Sequence, residues 1–588
     1  MNHAETPDAR LARVRDALAG LGLDALIVRS TDAYLNEYVP HAESTREWLT
    51  GFTGSMGDAL VTADGAWLFV DGRYHAQADR EVDLGRWTVV KNTLGTSNES
   101  ACAARLEELS RGREGAPLTV GYESQRFALS TLEAFKRSLG DAAVSLRPLD
   151  PSPLEAVRGA VPPVVSGAGR VRGVDESRMG RTVAEKLELV RAWMRPRAVK
   201  ALLVSKLDEV AWLTNLRAEE MPYQATFRGR ALVTEDALLL SVHASSVDDA
   251  VRSARPLVRW VDDAGITEAI RALGAGAKVA MDPASTPSAL RDAVAAAGAS
   301  PSPSPSPIVA AKAKKTPQEL SAMREALAAA DRVVAEAQVW LKTAVCAGQR
   351  VTEADFAREV ERLFLAAGAV GLSFRVIAAS GTNGAIVHHP SLEDAVISRG
   401  QMMLLDTGCY FADGFATDLT RTFFVGAPGE VASDEQRRLF TLTLKAAIAG
   451  MSARLPKGAV GAQLDGIVRA PLWAEGLDYL HGTGHGVGIN VHEAPPSVSK
   501  TSQLPLDEGH VFSIEPGVYL DGVGGVRIEN LCTVVPDEAA EGFWKIVPLT
   551  FSPLDPSLID PALLSDAERA FLRAYAEGGV GARSDLRL

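Results

Sequence analysis

"HGTGHGVGINVHE", His481 to Glu493, sets three histidines and four glycines in thirteen residues. Its spacing rules out two familiar readings. A dinucleotide-binding loop needs G-x-G-x-x-G, and from Gly482 the sixth position is Val487. A zinc-protease helix needs H-E-x-x-H, and His492-Glu493 runs into Ala494, Pro495 and Pro496, where proline cannot sit inside that helix. What remains is a glycine-relaxed backbone that keeps His481, His485 and His492 near one another, so their partners lie elsewhere in the chain.

Two acidic hairpins supply those partners. In "MLLDTGCYFADGFATDLTRTF", from Met403, Asp406 ends an apolar strand, Ala412-Asp413-Gly414 reads as a turn and Asp418 lies on the returning strand. "FSIEPGVYLDGVGGVRIENLCTVV", from Phe512, repeats the scheme. Glu515 ends one strand, a glycine-rich turn spans Asp521 to Gly525, and Glu529 sits on the strand that returns. Carboxylates in strands this apolar are costly unless they protonate or recruit cations. Four carboxylates and the His485 imidazole balance two divalent cations. Oxygen donors with a single nitrogen suit manganese, cobalt or iron better than a thiolate-type zinc site, and zinc stays open. Two such ions would hold a bridging hydroxide and polarise a carbonyl, which is hydrolase chemistry.

Composition narrows the partners. At 588 residues the chain is too long for one core. Its 46% hydrophobic and 23% charged residues are ordinary globular values. A net charge of −13 argues against nucleic acid, whose phosphates want a basic face. Cys102, Cys346, Cys409 and Cys532 lie far apart with no C-x-x-C pair, so neither a disulfide framework nor a structural zinc site is indicated. With a polar N-terminus and no apolar run near the length of a membrane span, the expectation is a soluble cytoplasmic protein without membrane partners.

"SPSPSPSP", Ser300 to Pro307, reads as an exposed linker. Upstream of it the chain echoes itself: "DALIV", "WLTGF" and "ALVTADGAWLFV" return as "KALLV", "WLTNL" and "ALVTEDALLLSV". Each copy reads as helix, apolar strand, a loop with Trp-Leu-Thr, then a strand hairpin turned at Asp64-Gly65 or Glu235-Asp236. The expectation is two related α/β domains, 1–160 and 161–310, ahead of a third, 311–588. The third opens with a helix capped by Thr316 and Glu319, followed by an amphipathic helix from about Glu353. It carries six of the ten histidines between 388 and 510.

"DTGCYFADGFATDLTRT", "HGTGHGVG", "IEPGVY" and "GVRIEN" together resemble the metal-binding set of the pita-bread metallopeptidases, nearest to the three-domain Xaa-Pro aminopeptidase group. The resemblance extends through "TDAYLNEYVP", "VDGRYHAQ", "LDEVAWLTNLR" and "SGTNGAIVHH" to the closing "LTFSPLDPSLID". It implies an α/β (α+β) chain with two creatinase-type N-terminal domains and a C-terminal pita-bread catalytic domain. Asp406, Asp418, His485, Glu515 and Glu529 would hold two metals, usually manganese. His388 and His492 would flank the scissile bond, Glu515 would move a proton, and Tyr519 and Arg527 would neighbour the metals, with His481 beside the substrate. Arg421 reads as a structural ion-pair partner. The implied activity is removal of the residue before proline from peptides, in a cytosolic homodimer. A prolidase restricted to dipeptides and a catalytically silent peptide-binding protein are the alternatives.

Two departures bear on the site. The family's aspartates lie eleven residues apart, whereas Asp406 and Asp418 are twelve apart, so the extra residue must be absorbed at the turn or in a bulge if both are to share a face. The His485 to His492 loop is two residues shorter than in the long cytosolic enzymes.

Overall fold

The echoed segments fold into the same sheet twice. The computed structural model describes residues 6–93, 95–111, 115–159 and 170–578. Strands β1 (Ala25–Val28), β2 (Asp58–Thr62), β3 (Ala66–Val70), β4 (Thr88–Lys91), β5 (Leu118–Glu123) and β6 (Val144–Leu149) form a sheet in the order β4-β3-β2-β1-β5-β6. Strands β7 (Ala201–Val204), β8 (Gly229–Thr234), β9 (Leu238–Val242), β10 (Val258–Val261), β11 (Lys278–Met281) and β12 (Ser300–Pro303) follow in the order β10-β9-β8-β7-β11-β12. In both sheets the first strand pairs antiparallel with the second and parallel with the fifth. β1 and β7 are buried along their whole length, which is why they read as continuous apolar runs.

Two local expectations are corrected. Trp-Leu-Thr is not in a loop: it closes the helices Thr45–Thr50 and Leu207–Thr214, each stopped by a left-handed residue, Gly51 at φ 76° and Asn215 at φ 50°. The Ser-Pro tract is not an exposed linker. Ser300–Pro303 is the edge strand β12, parallel to β11. Ser300 N and Ser304 N donate inward to Ala277 O and Met281 O. Pro301 and Pro303 take the alternate positions, where an edge strand needs no inward donor. Ser306 then caps the helix Pro307–Ala313 by accepting from Ile308 N. A boundary at residue 310 would therefore cut that helix, and the one at 160/161 lies outside the described residues.

The third region builds two layers around its carboxylates. β13 (Ile377–Ser380), β14 (Met402–Thr407) and β15 (Leu419–Phe424) form an antiparallel sheet. Its Met403, Leu405, Leu419 and Phe423 pack with residues of the helices Pro317–Cys346 and Glu353–Ala366. β16 (Arg454–Pro456), β17 (Gly484–Gly486), β18 (Glu493–Val498) and β19 (Val511–Ile514) precede the hairpin β20 (Gly517–Leu520) and β21 (Gly524–Arg527), then β22 (Asn530–Pro536) and β23 (Phe543–Pro548). The six-stranded sheet runs β16-β23-β22-β19-β17-β18. Phe512, Ile514, Val518, Val526 and Ile528 pack with residues of the helices Asp434–Met451 and Gly461–Trp473. With one face of each layer taken up by helices, strand alternation leaves the other face for the acids. The layers are stitched where Glu529 N donates to Thr420 O (3.1 Å) and Thr422 Oγ1 donates to Arg527 O (3.1 Å).

Candidate metal centre

Register decides whether the acids meet. β14 and β15 pair Asp406 with Thr420 and Thr407 with Leu419, and beyond them Tyr410 bridges Ala416 in the same register. Asp418 therefore falls opposite Gly408, on the face that carries Asp406. The extra residue is taken up by the turn Phe411 to Phe415, with Gly414 at φ 71°, and no bulge intervenes. Gly408 has no room for a side chain, since a Cβ there would lie 2.0 Å from Thr417 O. In the second hairpin Ile514 pairs with Asn530 and Gly517 with Arg527, which sets Glu515 directly across from Glu529.

His485 enters from β17. Its Nε2 lies 3.5 Å from Asp418 Oδ2 and 3.5 Å from Glu515 Oε1. The ligand atoms of Asp418, His485 and Glu529 all fall within 4.8 Å of one another. His485 Nδ1 is 3.2 Å from Gly486 O, so the Nδ1–H tautomer donates there and leaves the Nε2 lone pair facing the carboxylates. Supporting bonds fix the acids: Thr420 Oγ1 donates to Glu529 (2.8 Å), Ser513 Oγ to Glu515 (3.2 Å) and Arg527 Nη2 to Asp406 Oδ2 (2.6 Å).

The cluster is short of positive charge. Burial and the neighbouring carboxylates push Asp418 and Glu529 well above the usual carboxylate range, and burial raises Glu515 to about 7. Burial, with His492 beside it, lowers His485 to about 3. Asp406 Oδ1 is buried without a hydrogen-bond partner among the described residues. An orphaned oxygen, crowded carboxylates and a free imidazole nitrogen are the donor set that hard divalent cations satisfy, so the residues fit two such ions.

The remaining site residues ring this cluster. His492 meets His485 edge to face at 4.4 Å. Its Nδ1 is 2.6 Å from Glu37 Oε2, a residue of the first sheet's region. Against the pull of burial, each favours the charged form of the other: His492 is raised and Glu37 is held well below its usual value. Tyr38 stacks on His492 at 6.4 Å, and Tyr74 meets His388 edge to face at 5.1 Å. Burial, then Arg73 and Arg527, keep His388 neutral. On the opposite side Arg527 Nη1 donates to Tyr519 OH (2.9 Å), which donates to His481 Nε2 (2.9 Å), whose Nδ1–H goes to Gly482 O (2.7 Å).

Sequence reasoning missed Glu37, Tyr38, Arg73 and Tyr74, although "NEYVP" and "DGRYHAQ" stood out as segments. Glu37 and His492 are 455 positions apart, and no spacing links them. Arg421 is structural but forms no ion pair among the described residues. It donates to the carbonyls of Thr420, Glu529 and Ser552 and to Tyr575 OH, tying its strand to the main chain around it.

The fold and its domain order have counterparts among known proteins. Residues 10–159 and 165–319 each match a creatinase/prolidase N-terminal domain, and residues 321–536 match Metallopeptidase family M24. The chain is 31% identical over 594 residues to a Laccaria bicolor protein named "Probable Xaa-Pro aminopeptidase P", covering 97% of this chain and 90% of that one. A namesake in Colletotrichum graminicola is 32% identical over 597 residues, 96% of this chain and 94% of its own. The crystal structure of the Caenorhabditis elegans X-prolyl aminopeptidase, a cytosolic enzyme with a di-nuclear active site, superimposes with a TM-score of 0.87 at 27% identity, covering 98% and 95% of the two chains. Dipeptidase PepE of Mycobacterium ulcerans covers 65% of this chain, with a TM-score of 0.54 and 25% identity. Two creatinase-type domains ahead of this donor set define a metallopeptidase. The chain belongs to the Xaa-Pro aminopeptidase P group of metallopeptidase family M24.

Proposed function

We propose that the protein is a metal-dependent aminopeptidase that hydrolyses the bond between an N-terminal residue and a following proline. The convergence of Asp406, Asp418, His485, Glu515 and Glu529 from two facing hairpins carries this reading. These five residues hold two divalent cations, manganese in our assignment. When bound, such ions polarise a carbonyl and make water nucleophilic at neutral pH.

The chain's own groups do the rest. Glu515 moves a proton toward the departing proline nitrogen. His492, with its charged form favoured by Glu37, donates to the oxygen on which negative charge develops. Neutral His388 holds the substrate beside Tyr74. Arg527 keeps Asp406 in place and, through Tyr519, orients His481. The Xaa-Pro bond is a tertiary amide with no N–H, and the ring restricts the residue before it, so a groove that reads substrate as an extended strand is denied a donor. A carbonyl-directed site needs neither.

A near full-length likeness to an aminopeptidase, against two thirds to a dipeptidase, favours aminopeptidase over prolidase. We also place the last domain boundary near Lys314, between the helices Pro307–Ala313 and Pro317–Cys346. A cytoplasmic homodimer completes the proposal, with the exposed apolar residues Trp473 and Leu480 offered to the partner.

The test is release of arginine from Arg-Pro-Pro by purified protein, with manganese and with chelator. Manganese-dependent release with little turnover of an Xaa-Pro dipeptide is the expected result, and dipeptide turnover alone would favour prolidase.

A further inference from the structure

The helix Glu353–Ala366 begins with a carboxylate that is turned away from water. Glu353 is fully buried, and the helix is capped instead by Thr352 and Asp355. Both of its oxygens face the segment from Ser380 to Leu392. Oε1 accepts from Ser380 N (2.7 Å), Ser380 Oγ (2.9 Å) and Asn383 Nδ2 (3.0 Å). Oε2 accepts from His389 Nε2 (2.5 Å) and Leu392 N (3.1 Å). A carboxylate is expensive to bury, and five donors are what make this one tolerable.

His389 is equally committed. Its side chain is fully buried, and Nδ1 has no partner among the described residues. The ring is then the Nε2–H tautomer, because a lone pair without a donor costs less than a buried N–H without an acceptor. Among the described residues its one polar contact is Glu353.

His388 lies between these anchors in irregular backbone. After the short turn Gly381–Ala385 no strand ladder runs through the segment before residue 396. Its other support comes from the far side: Arg527 Nη2 reaches Val387 O (3.4 Å), and a Cβ on Gly384 would sit 2.9 Å from Gly525 N. With His389 held inward on Glu353, the ring of the adjacent His388 meets Tyr74 edge to face at 5.1 Å, so the tether on His389 fixes the backbone from which His388 reaches the cleft. The Ser380 to Leu392 segment is clamped between one buried carboxylate and the second metal hairpin.

We infer that Glu353, acting through His389 and the Ser380 to Leu392 segment, is a positioning residue that sets the imidazole of His388 at the scissile bond. This rests on the role proposed above for His388. Displacement of a reacting group by about 1 Å costs up to about a hundredfold in rate, which sets the scale of the effect.

The experiment compares E353Q, H388A and the double variant as full-length, manganese-loaded protein acting on Arg-Pro-Pro. Bound manganese is counted by mass spectrometry. E353Q should lower kcat by about ten- to a hundredfold with KM within about twofold and manganese unchanged, and E353Q/H388A should be no slower than H388A. Should E353Q fail to fold, H389F and H389Q replace it: loss with phenylalanine and partial rescue by the donating amide support the inference. Losses that multiply in the double variant, or a fall in bound manganese with kcat unchanged, overturn it. An impaired H388A beside an unaffected E353Q sinks the inference alone. A fully active H388A sinks the reading of His388 as well.

Discussion

Glu37 Oε2 and His492 Nδ1 meet at 2.6 Å across 455 positions of sequence, so the first domain supplies the charge partner of an imidazole that touches His485 of the carboxylate cluster. Replacing Glu37 with glutamine should lower kcat on Arg-Pro-Pro by about ten- to a hundredfold, the usual cost of losing a partner one shell out from the chemistry. The melting temperature should fall as well, because the pair that depresses the Glu37 carboxyl also stabilises the fold. A variant with full kcat would remove the first domain from the chemistry.

Just past His492, Glu493 is tied into a buried relay. Lys312 Nζ lies 2.6 Å from Asp208 Oδ2 and 2.7 Å from Glu493 Oε2, with all three side chains nearly inaccessible. Lys312→Met leaves Asp208 with only the longer contact to Lys206 (3.7 Å) and Glu493 with that to Lys315 (3.3 Å), and should cost about 3–5 kcal/mol in denaturant unfolding. Adding Asp208→Asn and Glu493→Gln should recover much of that. A triple variant as unstable as the single one would show that charge is not the cause.

Metal removal and Asp418 are linked in sign. Without cations the acids repel, so Asp418→Asn should melt about 2–4 °C above the wild type in chelator. In manganese the order should reverse, because only the wild type binds both ions tightly and gains stability by mass action. Scanning calorimetry of both proteins in both conditions decides it.

Asp331 gives a pH signature away from the site. Burial in the helix Pro317–Cys346 raises its carboxyl to about 6, although Phe551 N donates to it at 2.8 Å. With an unfolded value of about 3.9, its favourable contribution is complete below about pH 4 and is lost as pH rises through 6. Relative to Asp331→Asn, the wild type should lose about 1–3 kcal/mol between pH 4 and pH 8. A stability difference constant with pH would contradict this.

The acids were legible because their geometry is local: a turn, a period of two and an apolar strand place Asp406 with Asp418 and Glu515 with Glu529. The repeat was legible because central strands must be apolar in both copies. The Ser-Pro tract misled because its alternation has the same period as a strand, and only an edge position, a tertiary fact, makes proline acceptable at every second residue. Trp-Leu-Thr reads as loop because the stop signals Gly51 and Asn215 follow helices only one or two turns long. Glu37 and Glu353 were invisible as site residues, since each works by meeting a segment that only folding brings near.

Calorimetric titration of the metal-free protein with manganese, with Arg-Pro-Pro hydrolysis read on the same samples, tests the central claim most directly. Two equivalents bound per chain, with activity rising as they bind and both lost in Asp418→Asn, is the expected result. Hydrolysis that persists in chelator, or a folded protein that binds no manganese at all, would contradict it.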